Sequence, residues 1–354
     1  VVEVRPGDEL AGRFRMLEAS RSGGMATIWR ARDLRTGDDV AIKVLATGSS
    51  AEDAARFDRE ARLHAELPHD AIVRHVAHGE HEGRPWIALE WLAGEDLGER
   101  VHRADLTIGE AARVAARIAD ALGALHGAGV VHRDVKPNNI FLPGGRTAHA
   151  KLIDLGIAWR RDGDTVLTPS AIALGSPGYM APEQGRSDAT TDERADLYAL
   201  GCVLFRCLAG RPPFVGDSPV ALVVRSMLED APRLSELRGN VPPELDELVA
   251  RMLARDPDQR PRSAAEVAGA LARFAPSRAV TRRRRAPSLP AIGSAEQHLL
   301  AIVLAAVPDA ERAAARAWAA SSGLAPLVLS DGVFVLTVAG HPVDVYPGAD
   351  WTFW

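Results

Sequence analysis

Val131-His132-Arg133-Asp134-Val135-Lys136-Pro137-Asn138-Asn139-Ile140 sets an acid, bases and a carboxamide in one polar loop between two apolar runs. Asp134 can accept a proton from a hydroxyl. Lys136, two residues on, can offer positive charge to a phosphoryl group. Asn139 supplies an oxygen ligand for a hard cation such as Mg²⁺. Together they describe a loop for moving phosphate.

Further stations lie on either side. Downstream, Lys151-Leu152-Ile153-Asp154-Leu155-Gly156 is an apolar strand ending in an acid and a glycine, a second place to chelate a cation. Upstream, Val40-Ala41-Ile42-Lys43 ends an apolar strand in a lysine, and a buried ammonium demands a counter-charge. Glu60 is suited to supply it. A helix is predicted over Ser50–Leu67, with Ser50 as a cap and Phe57, Ala61 and His64 on its inward face, so Glu60 points near that face. Arg21-Ser22-Gly23-Gly24-Met25-Ala26-Thr27-Ile28 lies between two predicted strands, where Gly23 and Gly24 let backbone amides approach phosphate oxygens.

These stations resemble the bacterial eukaryotic-type (Hanks-type) serine/threonine protein kinases: His-Arg-Asp-x-Lys-Pro-x-Asn, the Asp154-Leu155-Gly156 turn, and Gly175-Ser176-Pro177-Gly178-Tyr179-Met180-Ala181-Pro182-Glu183. The resemblance implies transfer of the γ-phosphate of ATP to Ser or Thr of a protein. Asp134, Lys136 and Asn139 are the implied catalytic residues. Asn139 and Asp154 would bind Mg²⁺, with Mn²⁺ as a substitute. Lys43, Glu60, Gly23, Gly24, Ala26, Ile28, Ala41, Leu89, Glu90 and Leu92 would hold the nucleotide, with Glu90-Trp91-Leu92 as the hinge. Arg133, Ser176, Glu183, Asp196 and Arg260 are implied to be structural or regulatory: Glu183 needs a buried basic partner, and Arg260 stands where the family has one. Thr165, Thr168 and Ser170 are candidate autophosphorylation sites that would pair with Arg133. Arg21 and Ala26 stand where the family has glycines. They support the alternative, a pseudokinase acting as a nucleotide-binding scaffold or sensor.

The implied architecture is α+β and two-lobed, with a small β-rich N-lobe over about 13–93 and a larger helical C-lobe over about 94–275. Strands are predicted at Phe14–Leu17, Thr27–Ala31, Val40–Leu45, Ile72–Val76 and Trp86–Trp91. Helices are predicted from about 109 to Gly127 and near 192–209, 218–229, 243–254 and 263–274. Residues 276–294, with Arg282 to Arg285 among prolines, read as a basic linker. Residues 295–354 resemble the truncated start of a class III nucleotidyl cyclase. There Leu299–Val307 and Val333–Val338 read as strands and Ala310–Ala320 as a helix. Asp331 matches one metal-binding acid, Ala306 replaces the other, and Tyr346–Trp354 breaks the pattern.

A net charge of −5 gives no sign of a nucleic-acid binder, and two cysteines, Cys202 and Cys207, give no disulfide framework. The polar opening residues do not read as a signal peptide, and the apolar run Leu197–Leu208 is too short to span a bilayer and is interrupted by Arg206. The expected setting is the cytoplasm. The expected partners are ATP and protein substrates, with a dimer for autophosphorylation in trans.

Overall fold

In the computed structural model the chain divides into two compact units, Val1–Ala279 and Val280–Trp354. The structure describes residues 4–22, 26–104, 106–155, 177–185, 191–216, 218–275, 300–306, 327–328, 333–339 and 350–353. The candidates Gly23, Gly24, Thr165, Thr168, Ser170 and Ser176 lie outside these, as do Asp331 and the helix predicted over Ala310–Ala320.

The first unit opens with an antiparallel sheet. Its strands are β1 (Glu9–Leu10), β2 (Phe14–Ser22), β3 (Ala26–Asp33), β4 (Asp39–Leu45), β5 (His75–His81) and β6 (Arg84–Glu90), ordered β1-β2-β3-β4-β6-β5. Period-2 alternation gives the sheet two different faces. Val40, Ile42 and Val44 of β4 join Phe14, Met16, Trp29 and Trp86 in a core on one face. Phe14 and Trp86 meet edge to face there, 5.4 Å between ring centroids. The other face receives helix α1 (Ala51–Glu66), whose Phe57 and Ala61 pack with Ala26, Leu45, Ile87 and Leu89. Ser50 caps α1 in a reciprocal capping box with Asp53.

One strand departs from expectation. Ile72–Val76 was predicted as a strand, but the strand runs His75–His81, and residues 71–73 pair elsewhere. They meet β9 (Lys151–Leu152) of a small sheet that also holds β7 (Gly94–Asp96) and β8 (Ile140–Pro143). The Leu152 N–H donates to Ala71 O at 2.8 Å, and the Val73 N–H donates to Leu152 O at 2.9 Å. Ile72 is buried in the core of the helical part and Val73 in the core between the main sheet and α1, so both are apolar without belonging to a strand of that sheet.

The larger part is helical. After α2 (Leu97–Arg103), α3 (Ile108–Gly127) buries Val114, Ile118, Leu122 and Leu125, the three- and four-residue repeat read from the sequence. Helix α4 (Arg194–Ala209) packs on α3 and is buried from Ala195 to Phe205. It closes at Gly210, whose φ of 75° suits a residue without a Cβ. Helices α5 (Pro219–Leu228), α6 (Leu234–Leu237), α7 (Pro243–Met252) and α8 (Ala264–Ala272) follow; all but the short α6, for which no helix is expected, lie close to their predicted positions. A buried ion pair clamps this region: the Arg260 guanidinium donates to both Glu183 carboxylate oxygens, at 2.6 and 2.8 Å. The same guanidinium donates to the Ala254, Arg194 and Arg255 carbonyls.

The second unit contains an antiparallel sheet in which Leu300–Ala306 lies between Val333–Ala339 and Asp350–Phe353. The first two strands fall where the sequence places them. A further strand, Asp350–Phe353, lies within Tyr346–Trp354, a stretch for which no element is expected. No helix among the described residues is long and apolar enough to cross a membrane.

Removing one partner of the Glu183–Arg260 pair leaves a guanidinium that is 0% exposed without its counter-charge. Glu183→Ala is expected to lower the free energy of unfolding by about 3–5 kcal/mol. Urea denaturation checks this as a shifted midpoint at unchanged slope.

Candidate active site

Strand β4 aims Lys43 at α1. Lys43 pairs across the sheet with Ile28 and Ile87, and Ala41 pairs with Leu89, so Ile28, Ala41, Lys43 and Leu89 share the α1 face. Buried Ala26, also on this face, pairs with Leu45, so the methyl group at this otherwise glycine position is taken up by the core. Ile28 and Ala41 are only half-buried, leaving an apolar surface beside a cation.

Lys43 Nζ donates to both Glu60 oxygens, at 2.7 and 2.9 Å, and stands 3.7 Å from Asp154 Oδ1. Burial opposes the ammonium, but Glu60 and Asp154 outweigh it and hold Lys43 above its usual range. One helical turn beyond Glu60, His64 is buried, and its pKa is pushed down to about 3, first by burial and then by the Lys43 charge. It therefore packs as a neutral ring.

Glu90 uses its side chain elsewhere. It takes an ion pair from Lys151 and the backbone N–H of Arg74, the latter at 2.9 Å. What Glu90 offers a nucleotide is its main chain. Leu89 is buried behind it and Leu92 is half-buried beyond it.

The loop 131–139 runs between α3 and β8. Asp134 Oδ2 accepts from Lys136 Nζ at 2.7 Å and from Asn139 Nδ2 at 3.0 Å. Asn139 Nδ2 also donates to the Asp134 carbonyl at 2.9 Å, which turns the amide oxygen of Asn139 the other way. The Ile153 N–H donates to Asn139 O at 3.0 Å, so Asn139 and Asp154 are held on neighbouring strands of chain. Both present hard oxygen donors. Two such donors suit Mg²⁺, which takes one or two protein ligands and fills its remaining positions from phosphates and water.

The loop is shaped from beneath. Arg133 has a φ of 65°, the left-handed region that non-glycine residues rarely occupy. Buried Asp196 at the start of α4 accepts the Arg133 N–H at 2.7 Å and the His132 N–H at 2.8 Å. His126 Nε2 reaches the same carboxylate at 2.8 Å. His132 Nε2 lies 2.5 Å from Asp154 O, and Asp134 N–H donates to His132 Nδ1 at 3.2 Å, which places the imidazole proton on Nε2. Gln184 accepts from Ala181 N–H at 2.9 Å and reaches Arg133 O at 3.4 Å, tying the segment around Glu183 to the same loop.

Lys43, Glu60 and Asp154 thus form one contact group and Asp134, Lys136 and Asn139 another, joined through His132 and the Ile153 backbone, while Glu183, Asp196 and Arg260 lie in the supporting layer. The sequence reading missed His126, His132, Lys151 and Gln184. His132 sits inside a quoted motif without a role, Gln184 directly follows another, and His126 lies at the end of the predicted helix just ahead of the loop. Lys151 opens a quoted motif, but its partner Glu90 is distant in sequence.

The protein kinase domain model matches residues 21–269. The serine/threonine-protein kinase PknB of Mycolicibacterium smegmatis is 40% identical over 273 residues, covering 75% of this chain and 43% of its own length. The DNA damage-responsive serine/threonine-protein kinase RqkA of Deinococcus radiodurans is 36% identical over 270 residues, covering 75% of this chain and 40% of its own. The chain therefore spans about two-fifths of the length of these curated relatives. The crystal structure of the Mycobacterium tuberculosis PknI kinase domain superposes with a TM-score of 0.59 at 29% identity, covering 77% of this chain and 100% of that one. The chain belongs to the protein kinase family, in its bacterial Hanks-type serine/threonine branch.

Proposed function

We propose that this chain transfers the γ-phosphate of ATP to Ser or Thr hydroxyls of proteins, in the cytoplasm. The convergence of Lys43, Asp134, Asn139 and Asp154 carries this reading. One side of the cleft offers a cation beside an apolar wall, and the other offers a carboxylate with a lysine already bound to it. Lys43 would hold the α- and β-phosphates and Glu60 would fix its position. Mg²⁺, bound by Asn139 and Asp154, would neutralise charge on the β- and γ-phosphates. Asp134 would orient the acceptor hydroxyl and take its proton as the new bond forms, since an ordinary carboxylate is too weak to remove that proton beforehand. Lys136, 2.7 Å from Asp134, would face the transferring phosphoryl group.

The buried, unpaired thiols of Cys202 and Cys207 suit a reducing compartment. The scaffold alternative rested on Arg21 and Ala26. Arg21 pairs with Ile28 beside a register shift between Ala19 and Arg21, while Ala26 pairs in register with Leu45. We assign the kinase domain to residues 13–275, the linker to 276–294, and a degenerate cyclase-like remnant to 295–354.

Asp134→Asn keeps the shape of the side chain and removes its basicity. It is expected to cut autophosphorylation from labelled ATP by about a hundredfold or more. Label incorporation at the wild-type rate would overturn the assignment. Lys43→Met removes the phosphate-binding cation and is expected to weaken Mg-ATP binding, read by calorimetry.

Arg133, immediately before Asp134, is the proposed partner for a phosphate on Thr165, Thr168 or Ser170. Mass spectrometry after incubation with Mg-ATP should find phosphate on at least one of them. An active enzyme unmodified at all three would exclude this form of control.

A further inference from the structure

Helix α4 is buried residue by residue from Ala195 to Leu208 except at Arg206, which stays half-exposed. A guanidinium set into such an apolar run must carry its head to solvent or to an acceptor. Arg206 Nη1 donates to Tyr179 Oη at 2.6 Å, and Nη2 lies 3.0 Å from His102 Nε2. Neither partner is an acid. Burial pushes the Tyr179 phenol up against the opposing pull of Arg206, so it stays uncharged. The acids on the elements that carry these two partners, or next to them in sequence, are engaged elsewhere. Glu95 faces Arg103 at 2.9 Å and Arg100 at 3.6 Å. Glu99 accepts the Asp96 N–H at 3.1 Å, and Glu183 holds Arg260. Among the described residues, the hydrogen-bond partners of Arg206 are a hydroxyl and an imidazole.

Its surroundings place this cation beside the acceptor side of the cleft. Tyr179 closes the turn Pro177–Tyr179, two residues before Ala181, which Gln184 links to the Arg133 carbonyl. His102 lies on α2, whose Gly98 packs against the Asn138 side chain of the loop that carries Asp134. Both elements that bracket Arg206 therefore bear on the loop that would receive the acceptor hydroxyl.

We propose that Arg206, oriented by Tyr179 and flanked by His102, is a specificity-determining residue that binds an acidic side chain flanking the acceptor Ser or Thr of the substrate. The proposal rests on the kinase reading above. The bond to Tyr179 fixes the plane of the guanidinium, and its fork leaves further N–H groups to meet a carboxylate or a phosphate. An acidic neighbour adds a charge-assisted contact while the bond to Tyr179 is kept.

The test uses the full chain and a set of Ser peptides carrying Glu, phosphoserine, Gln or Lys at each flanking position in turn. Two readouts are taken: kcat/KM with Mg-ATP, and the peptide Kd by fluorescence anisotropy on the Asp134→Asn chain. At one flanking position the Glu or phosphoserine peptide should exceed the Gln peptide about tenfold in both readouts, the factor for one charge-assisted hydrogen bond. Phosphoserine well above Glu identifies a phosphate as the ligand, and parity identifies a carboxylate. Arg206→Glu should invert the preference towards Lys, and Arg206→Gln should level it. Thermal unfolding confirms that each variant is folded, and Arg206→Gln decides the matter if Arg206→Glu does not fold. A flat wild-type preference, or an acidic preference that both variants retain, overturns the proposal. If the wild type neither phosphorylates a peptide nor autophosphorylates, the kinase reading fails, while the anisotropy measurement still decides whether Arg206 binds acidic side chains.

Discussion

The site depends on one buried carboxylate. Asp196 is 0% exposed and receives three donors: the N–H groups of His132 and Arg133 and the ring of His126. An ionised acid out of water is costly unless hydrogen bonds satisfy it, and here they do. The same bonds hold Arg133 in a left-handed conformation worth on the order of 1–3 kcal/mol of strain. The loop that carries Asp134 has no regular ladder over most of its length, so it needs such an anchor. From Asp196 the order passes through His132 to the carbonyl of Asp154, and from Asn139 to Ile153. Base and candidate cation ligands are therefore fixed by one helix terminus lying beneath them.

The opposite wall follows from sheet geometry. Alternation along β4 sends Val40, Ile42 and Val44 into one core and leaves Ala41 and Lys43 on the face that α1 covers. A lysine on that face would be expensive without Glu60. In turn, Glu60 is delivered by the same helix face that buries Phe57 and Ala61. The ion pair thus reports on the seating of α1: Lys43 can reach both oxygens only when the apolar contacts of that helix are made.

Much of this was legible because the chemistry sits in short motifs. Asp134, Lys136 and Asn139 lie within six residues, and each polar group has an evident use. The strand-then-helix order also brought Lys43 and Glu60 together on paper, since periodicity fixes which face each occupies. What stayed hidden depends on tertiary distance. Nothing near His126 in sequence announces an acid seventy residues away. Ile72 and Val73 read as a strand of the main sheet because burial in any strand-like pairing leaves the same apolar trace. His64 lay on the predicted inward face, but only the packing shows it as a neutral filler beside the Lys43 charge.

The two parts of the first unit are joined through a narrow strap. Residues 69–74 carry most of it. The Ala71 and Val73 backbones pair with Leu152, and Arg117 donates to the carbonyls of Asp70 and Ala150 at 2.7 and 2.8 Å. Lys151 adds the ion pair to Glu90, at the end of β6. Asp154 follows Leu152 by two residues, and Glu90 opens the proposed hinge. The bonds that join the sheet to the helical part are thus the ones that set Asp154 opposite Lys43. A backbone ladder two residues from an acid fixes its position far more tightly than a long side chain would. The 3.7 Å approach of Lys43 to Asp154 is therefore a product of main-chain pairing, with the lysine stem as the adjustable member.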